Sequence, residues 1–586
     1  MTLYMLVSMY VATVPNRNSP PAILLRESYR EDGKVKTRTL ANLSHWSPDK
    51  VDQLRQVLGN QAPKTNLKES FAITRSLSHG HVAAVLGTIR KLGLDTLIDP
   101  TPSRQRDLVL AMIVSQVIRP SSKLACVRGL RTESATSSLG ELLSLSTADE
   151  DDLYGAMDWL APRQAHIEAE LAQRHLEAGT LVLYDMSSAA FEGKTCPLGK
   201  RGHPKDGVRG RLQIVYGLLA TKEGVPVAIE VFPGNTGEPT TIIKQVEKLK
   251  DRFKLAKVIL VGDRGLLTSA RLREDVTPKQ LDFITALRAP QIRALIRDEA
   301  IQLSLFDERD LIEVTHPDYP KERLVACLNP LLANERATKR LSLLTATEAE
   351  LDKIVAMVKR ERRPLRGKDQ IAMKVGKVID HYKMAKHFLI EITNETFTYR
   401  RNEAKIAAEA TLDGVYVLRT SVEPETLSTH EVVSSYKSLS NVERVFRGFN
   451  TDLDIRPIRH RTEKRVRVHV FLRMLSYYVS FQLAHTVAPL LFKDDDPEGA
   501  KALRDSPVAP AKRSRRAQAK AATKRTDHDL PVHSFATLME DLATIVANRI
   551  QPKDNDLPAF VMITQPTPLQ QRAFELLGVS WNLGYV

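Results

Sequence analysis

The sequence predicts an α/β protein, on three observations. Hydrophobic residues make up 42% of the 586 residues, enough for a buried core and too many for a disordered chain. Apolar spacing is helical up to about residue 176 and then strand-like, with branched and aromatic runs at 180–184, 212–220 and 225–232. A helical stretch at 240–253, with Ile242, Ile243, Val246 and Leu249 on one face, then leads to a fourth run at 257–261. This order describes three antiparallel strands and a helical crossover to a further strand.

Residues 1–46 read as a small β unit. The stretch 3–14 is strand-like, Pro15 and Pro20 bound a turn, and 22–29 and 35–40 flank an Asp32-Gly33 hairpin signal. Residues 47–176 read as mainly helical, with Ser47 and Pro48 as a helix start. Amphipathic spacing covers 106–117 and 151–176, the second broken near Pro162. Arg104, Arg106, Arg119, Lys123, Arg128 and Arg131 make this region basic, either as a solvated face or as a surface for DNA ends. The first part of the α/β core spans 177–288, and a mixed insert follows at 289–411. In that insert Thr345 is expected to cap a charged helix over 345–361, with Glu348 completing a capping box. The core resumes over 412–497, with a strand at 414–419, a helix at 434–449 and an apolar helix at 467–483. Residues 498–530 read as a basic flexible linker, because 498–526 holds nine Lys or Arg against two acids. Residues 531–586 read as a helical segment.

Composition narrows the function. A formal net charge of +15 favours a polyanionic partner, since each phosphate contact releases counterions. Cys126, Cys196 and Cys327 form no CxxC pair, which excludes a disulfide framework and a zinc ribbon and fits a reducing, cytoplasmic setting. No apolar run reaches about 18 residues, so no transmembrane helix is expected, and the N-terminus lacks the marks of a signal peptide.

Two carboxylates stand out. Asp185 sits inside or just after the first strand-like run, and Asp263 follows the fourth, flanked by Gly262 and Gly265. Either alone is an ordinary turn residue. A carboxylate at the mouth of a sheet is costly unless paired or metal-bound, and two on neighbouring strands suit Mg²⁺. A third, Glu443, shares a helix stripe with Tyr436, Leu439 and Asn450, and Leu439 marks that stripe as packed. His460, between Arg459 and Arg461, reads as a helix start or phosphate contact rather than a metal ligand. Ser187 and Ser188 lack a nucleophile elbow, and Cys196 reads as an ordinary thiol. Lys200, Arg201, His203, Lys205, Arg209 and Arg211 form a basic loop that either covers DNA or is solvated.

On the stretches 27–35, 183–188, 261–265 and 438–461, the chain resembles the DDE transposases of bacterial insertion sequences. It is most similar to insertion-sequence family 1634, within the insertion-sequence-four superfamily. The resemblance implies an RNase H-like catalytic core with an insertion domain, in keeping with the separation of 180 residues from Asp263 to Glu443. It implies that Asp185, Asp263 and Glu443 are the catalytic and metal-binding triad, holding two Mg²⁺ ions with Mn²⁺ as substitute. It further implies cut-and-paste movement of an insertion sequence: DNA strand nicking, then strand transfer by the freed 3′-hydroxyl. The implied partners are double-stranded DNA, as the terminal inverted repeats of its own element and as target, with a homodimer forming on DNA. The implied location is the bacterial nucleoid, with no membrane. The family pattern in the last helix is Tyr, Arg, Glu, Lys. Tyr436 and Glu443 match it, whereas Leu439 and Asn450 stand at the Arg and Lys places. The DNA-contacting candidates are therefore Tyr436, Lys437, Arg447, Arg264 and Arg461. A catalytically silent, transposase-derived DNA-binding protein is the alternative. A haloacid-dehalogenase-type phosphatase needs Asp-x-Asp, where this chain has Asp185, Met186 and Ser187.

Overall fold

In the computed structural model, the described residues are 5–17, 19–31, 34–59, 71–177, 179–205, 210–301, 311–504, 508–509, 511–553 and 558–585. They fall into two compact units, residues 1–76 with 547–563, and residues 77–546 with 564–586. Asp32 and Gly33 of the hairpin signal, Arg209 of the basic loop, and Asp505, one of the two acids in 498–526, lie outside the described residues. Among the described residues no single helix is long and apolar enough to cross a membrane.

In the first unit, strands Met5–Val14, Ala22–Glu31 and Lys34–Asn42 pair antiparallel in chain order. Ser47 and Pro48 do start a helix, Pro48–Leu58, although the Ser47 side chain makes no cap bond. A second sheet has the order Phe560–Ile563, Val546–Pro552, Phe71–Ser78. It adds one strand to the mainly helical region 47–176 and two strands to the segment 531–586, expected to be helical. Val546–Pro552 and Phe560–Ile563 are near neighbours in the chain, but Phe71–Ser78 lies far from both, so nothing local signals that pairing. The Thr74 hydroxyl donates to the Arg549 carbonyl at 3.2 Å, and Phe71 meets Phe560 edge-on at 6.2 Å.

In the second unit, helices come first: α1 (Gly80–Lys91), α2 (Arg104–Ile118), α3 (Lys123–Leu130), α4 (Glu150–Leu160) and α5 (Gln164–His175). The 3₁₀ turn Ala161–Arg163, which contains Pro162, separates α4 from α5 as expected. The basic residues on these helices are partly tied inward. Arg104 pairs with Asp152 at 2.8 Å, and Arg131 donates to the Ala148 carbonyl at 3.0 Å.

The core sheet is built from β1 (Thr180–Phe191), β2 (Leu212–Thr221), β3 (Pro226–Pro233), β4 (Val258–Gly262), β5 (Asp282–Ala286), β6 (Leu311–Val314), β7 (Arg323–Leu328) and β8 (Val415–Thr420). Its order is β6-β7-β8-β5-β4-β1-β2-β3. β1, β2 and β3 are antiparallel, β4 and β5 run parallel to β1, and β8, β7 and β6 extend the sheet antiparallel. β1 to β4 are buried along almost their whole length, which is why they read as continuous apolar runs.

The insert places β6 and β7 in this sheet and then builds a core of its own. Helices α6 (Pro330–Lys359) and α7 (Lys368–Tyr382) pack with the hairpin Phe388–Ile392 and Phe397–Arg401 around Leu351, Ile354, Ile371, Phe388 and Phe397. Thr345 caps nothing: α6 starts earlier, where Asn329 accepts from the Leu332 amide and Pro330 occupies the first turn. Glu348 instead forms a two-pronged pair with Arg401, at 2.7 Å for each contact.

Three helices complete the unit: α8 (Thr429–Lys437), α9 (Leu439–Thr451) and α10 (Glu463–Thr486). The single helix expected over 434–449 is two, hinged at Ser438. The Ser438 amide contacts the carbonyls of Ser434 and Ser435, each at 3.2 Å, so the ladder tightens there. α10 packs against α2, α4, β3 and α9, so most of its middle, from Val466 to Val479, is buried. The expected flexible linker also folds. Ser514 caps helix Arg515–Thr523, whose Lys520 is buried, pairs with Asp495 at 2.8 Å and donates to two carbonyls.

Candidate active site

Parallel pairing of β1 with β4 sets the site. Tyr184 lies opposite Gly262, so the next residue on each strand is an aspartate, Asp185 and Asp263. Neighbouring strands are about 4.8 Å apart, which makes these two backbone positions adjacent. Asp185 is inside β1 and its side chain is 20% exposed, whereas Asp263 is exposed just beyond β4.

Glu443 comes from α9, which packs against β1. Val442, Val445, Phe446 and Phe449 are its buried face, and Phe446 and Phe449 meet Tyr216 of β2 at 5.5 and 6.2 Å. Tyr216 pairs with Ser187, which shares a face of β1 with Asp185, so α9 lies on the Asp185 side of the sheet. Glu443 itself is exposed. Two glycines let α9 sit close. A Cβ at Gly448 would lie 2.5 Å from the Tyr477 ring of α10. Gly224, at φ +92° in the β2–β3 turn, leaves only enough space for Asn441, whose amide donates to the Lys222 carbonyl at 2.7 Å.

The electrostatics link the three acids. Burial pushes the Asp185 carboxyl up to about 6. Lys205 and the Met186 amide, 2.7 Å from Oδ1, oppose that shift, while Asp263 and Glu443 add to it. Among the described residues no three His, Cys, Asp or Glu side chains are gathered closely enough to hold a metal ion. The donor set nevertheless fits a hard divalent cation: every donor is a carboxylate oxygen, and the mutual repulsion raising Asp185 is what such an ion relieves.

Sequence reasoning treated Lys205 only as part of a basic loop and missed Glu238 altogether. The Lys205 ammonium lies 3.9 Å from Asp185 Oδ1 and 3.0 Å from Glu238 Oε1. A Cβ on Gly265 would stand 2.5 Å from Glu238 Oε2 and 3.7 Å from Asp263 Oδ2, so Glu238 flanks Asp263 as well. The signal available was the Gly234–Gly237 turn that delivers Glu238 straight after β3.

The proposed DNA-contacting residues are placed unevenly. The Tyr436 hydroxyl donates to Asp263 Oδ1 at 3.4 Å, and burial holds its phenol well above the usual range. Lys437 donates to the Val508 carbonyl at 2.8 Å, and burial pushes it down to about 8. Arg264 is exposed and lines a 190 Å³ pocket with Arg288 and Arg419. Arg447 is exposed on α9, and Arg461 is exposed in the loop before α10. Leu439 is half-buried, as its place on a packed stripe requires, and so is Asn450.

A family model described as the IS1634 family transposase N-terminal domain matches residues 11–67, and one described as the transposase DDE domain matches residues 193–479. The chain belongs to the IS1634-family DDE transposases. Asp263 and Glu443 of this transposase lie within the matched DDE stretch, and Asp185 lies eight residues before it. No curated protein matches the chain.

Proposed function

We propose that this transposase moves its own insertion sequence by cut-and-paste phosphoryl transfer, with Asp185, Asp263 and Glu443 as its catalytic carboxylates. The observation that carries this is the adjacency of Asp185 and Asp263 on paired parallel strands, with the Glu443 helix packed on the same face. The order β3-β2-β1-β4-β5, three strands antiparallel and two parallel, supports an RNase H-like core with residues 289–411 as its insertion domain. The three carboxylates would hold Mg²⁺, two ions in the active state, with Mn²⁺ as substitute. When bound, such ions polarise the scissile phosphate and lower the pKa of an attacking water.

The chain's own residues do the rest. Tyr436 restrains Asp263 through its hydroxyl, and Lys205 holds Asp185 and Glu238 in place before DNA arrives. Arg264, Arg447 and Arg461 remain exposed to meet backbone phosphates. The DNA partners are the element's terminal inverted repeats and the target duplex. Both ends are held by a homodimer that forms on DNA.

The test is cleavage of a labelled duplex carrying the element's ends in Mg²⁺ or Mn²⁺. Asp185→Asn, Asp263→Asn and Glu443→Gln are each expected to reduce nicking at least 100-fold while duplex binding persists. Normal cutting by Glu443→Gln would remove α9 from the site. A wild-type protein that binds the ends and never cuts supports the silent DNA-binding reading, which Leu439 and Asn450 favour.

A further inference from the structure

Away from the three carboxylates, the loop between α9 and α10 closes a cavity of about 690 Å³ against the start of α3 and against α4. Six cations line it (Lys123, Arg456, Arg459, Arg461, Arg465 and Arg473) against two carboxylates, Asp151 and Asp454. Arg465 is already matched: it pairs with Asp158 at 2.8 Å and lies over the Tyr154 ring. Arg473 is different. It projects from the buried helix α10, is only 4% exposed, and its Nε has no hydrogen-bond partner among the described residues.

A buried guanidinium with an unused N–H is expensive unless an anion meets it. Burial pushes Arg473 down to about 10 and, with the Arg473 charge beside it, pushes Lys123 down to about 7. Asp454 acts on Arg473 only from a distance. His460 and His469 join the wall, in contact with each other at 3.3 Å. Burial keeps both neutral, so they offer hydrogen bonds without further charge.

We infer that this cavity is a phosphate-binding pocket, with the Arg473 guanidinium at its base and Lys123 and Arg459 at its sides. A planar guanidinium and an ammonium are the groups that meet phosphate oxygens best. The volume exceeds a bare phosphate, and the Tyr154 and His460 rings, 6.0 Å apart and edge-on, add an apolar wall. That combination fits a phosphate carried on a DNA strand better than a free ion. The strand assignment alone rests on the DNA reading above.

The experiment uses the full-length protein and inorganic phosphate. The thermal midpoint is read in phosphate and in chloride at equal ionic strength. Phosphate is expected to raise it by several degrees, and Lys123→Met and Arg459→Gln, at the cavity edge, each to remove most of the rise. Arg473→Met tests the base of the pocket, and the two edge variants keep the test decisive if it fails to fold. Equal midpoints in phosphate and chloride, or an undiminished rise in both edge variants, overturns the pocket. A second arm reads the salt dependence of duplex binding. Loss of one strand-phosphate contact lowers the log–log slope by about 0.9. An edge variant that loses the thermal rise but keeps the slope assigns the pocket to free phosphate; one that loses both assigns it to the strand. Asp185→Asn is expected to keep both readouts, so failure of catalysis and failure of the pocket are told apart.

Discussion

Glu168 has no exposed side-chain surface, accepts from the Ile229 amide at 3.1 Å, and faces Lys248 at 3.2 Å and Arg252 at 3.1 Å. Lys248 is 5% exposed and also reaches Glu230 at 3.0 Å. Removing one member of such a network strands a buried charge, so Glu168→Ala is expected to cost about 3–5 kcal/mol. A urea titration reads this directly, and a loss under about 1 kcal/mol would show that Glu230 alone satisfies Lys248. Buried histidines make a second prediction. Burial pushes His79 and His81 down to about 4, so the folded chain binds fewer protons than the unfolded chain below about pH 6.5. Their effect on stability is neutral above pH 6.5 and becomes a loss as pH falls toward 4, by up to about 1.4 kcal/mol per unit for each. Thermal midpoints across that window should fall, and His79→Gln should flatten the curve. At this scale the sequence was partly legible. Asp185 and Asp263 announced themselves as carboxylates in or at the end of apolar runs. Lys205 and Glu238 did not, because each owes its place to a tertiary approach and looks like any loop charge.

The helix that carries Glu443 is held by contacts a few ångströms across. A side chain at Gly448 would enter the Tyr477 ring, so Gly448→Val should force α9 off α10. Overpacking of this kind costs about 1–3 kcal/mol. The expected signature is a loss of nicking larger than the loss of duplex affinity, because Glu443 moves while the exposed arginines stay. Nicking that falls only in step with stability would show that the helix position is not critical. Element boundaries were legible where local chemistry writes them, as at Ser47-Pro48 and Pro162. They were misread where packing writes them. The hinge at Ser438 interrupts a helical pattern that is continuous in sequence, and Thr345 looks like a cap although Asn329 and Pro330 already started the helix. The basic, Ala-rich stretch near Lys520 read as solvated, yet Lys520 found Asp495 and two carbonyls inside the fold.

For the whole molecule, a net charge of +15 makes duplex binding a counterion-release process. The logarithm of the binding constant should fall linearly with that of salt, and the slope counts phosphates held at about 0.9 each. A slope near zero would exclude the basic surface as the DNA-binding face. The first four core strands and their crossover were visible as runs of period and polarity. The sheet that joins Phe71–Ser78 to Val546–Pro552 was not, because nothing local connects strands nearly the whole chain apart.

That sheet also imposes a schedule. A ribosome adds about 5–20 residues each second, so Phe71–Ser78 emerges roughly half a minute to a minute and a half before its partner strand exists. Throughout that interval its edge is open, a state in which strands recruit foreign chains. Arg75 near its middle is the kind of charge that discourages such recruitment. A message cut short before the codons for 546–563 would leave the edge open for good, and its product would be expected to reach the cell's proteases rather than its DNA.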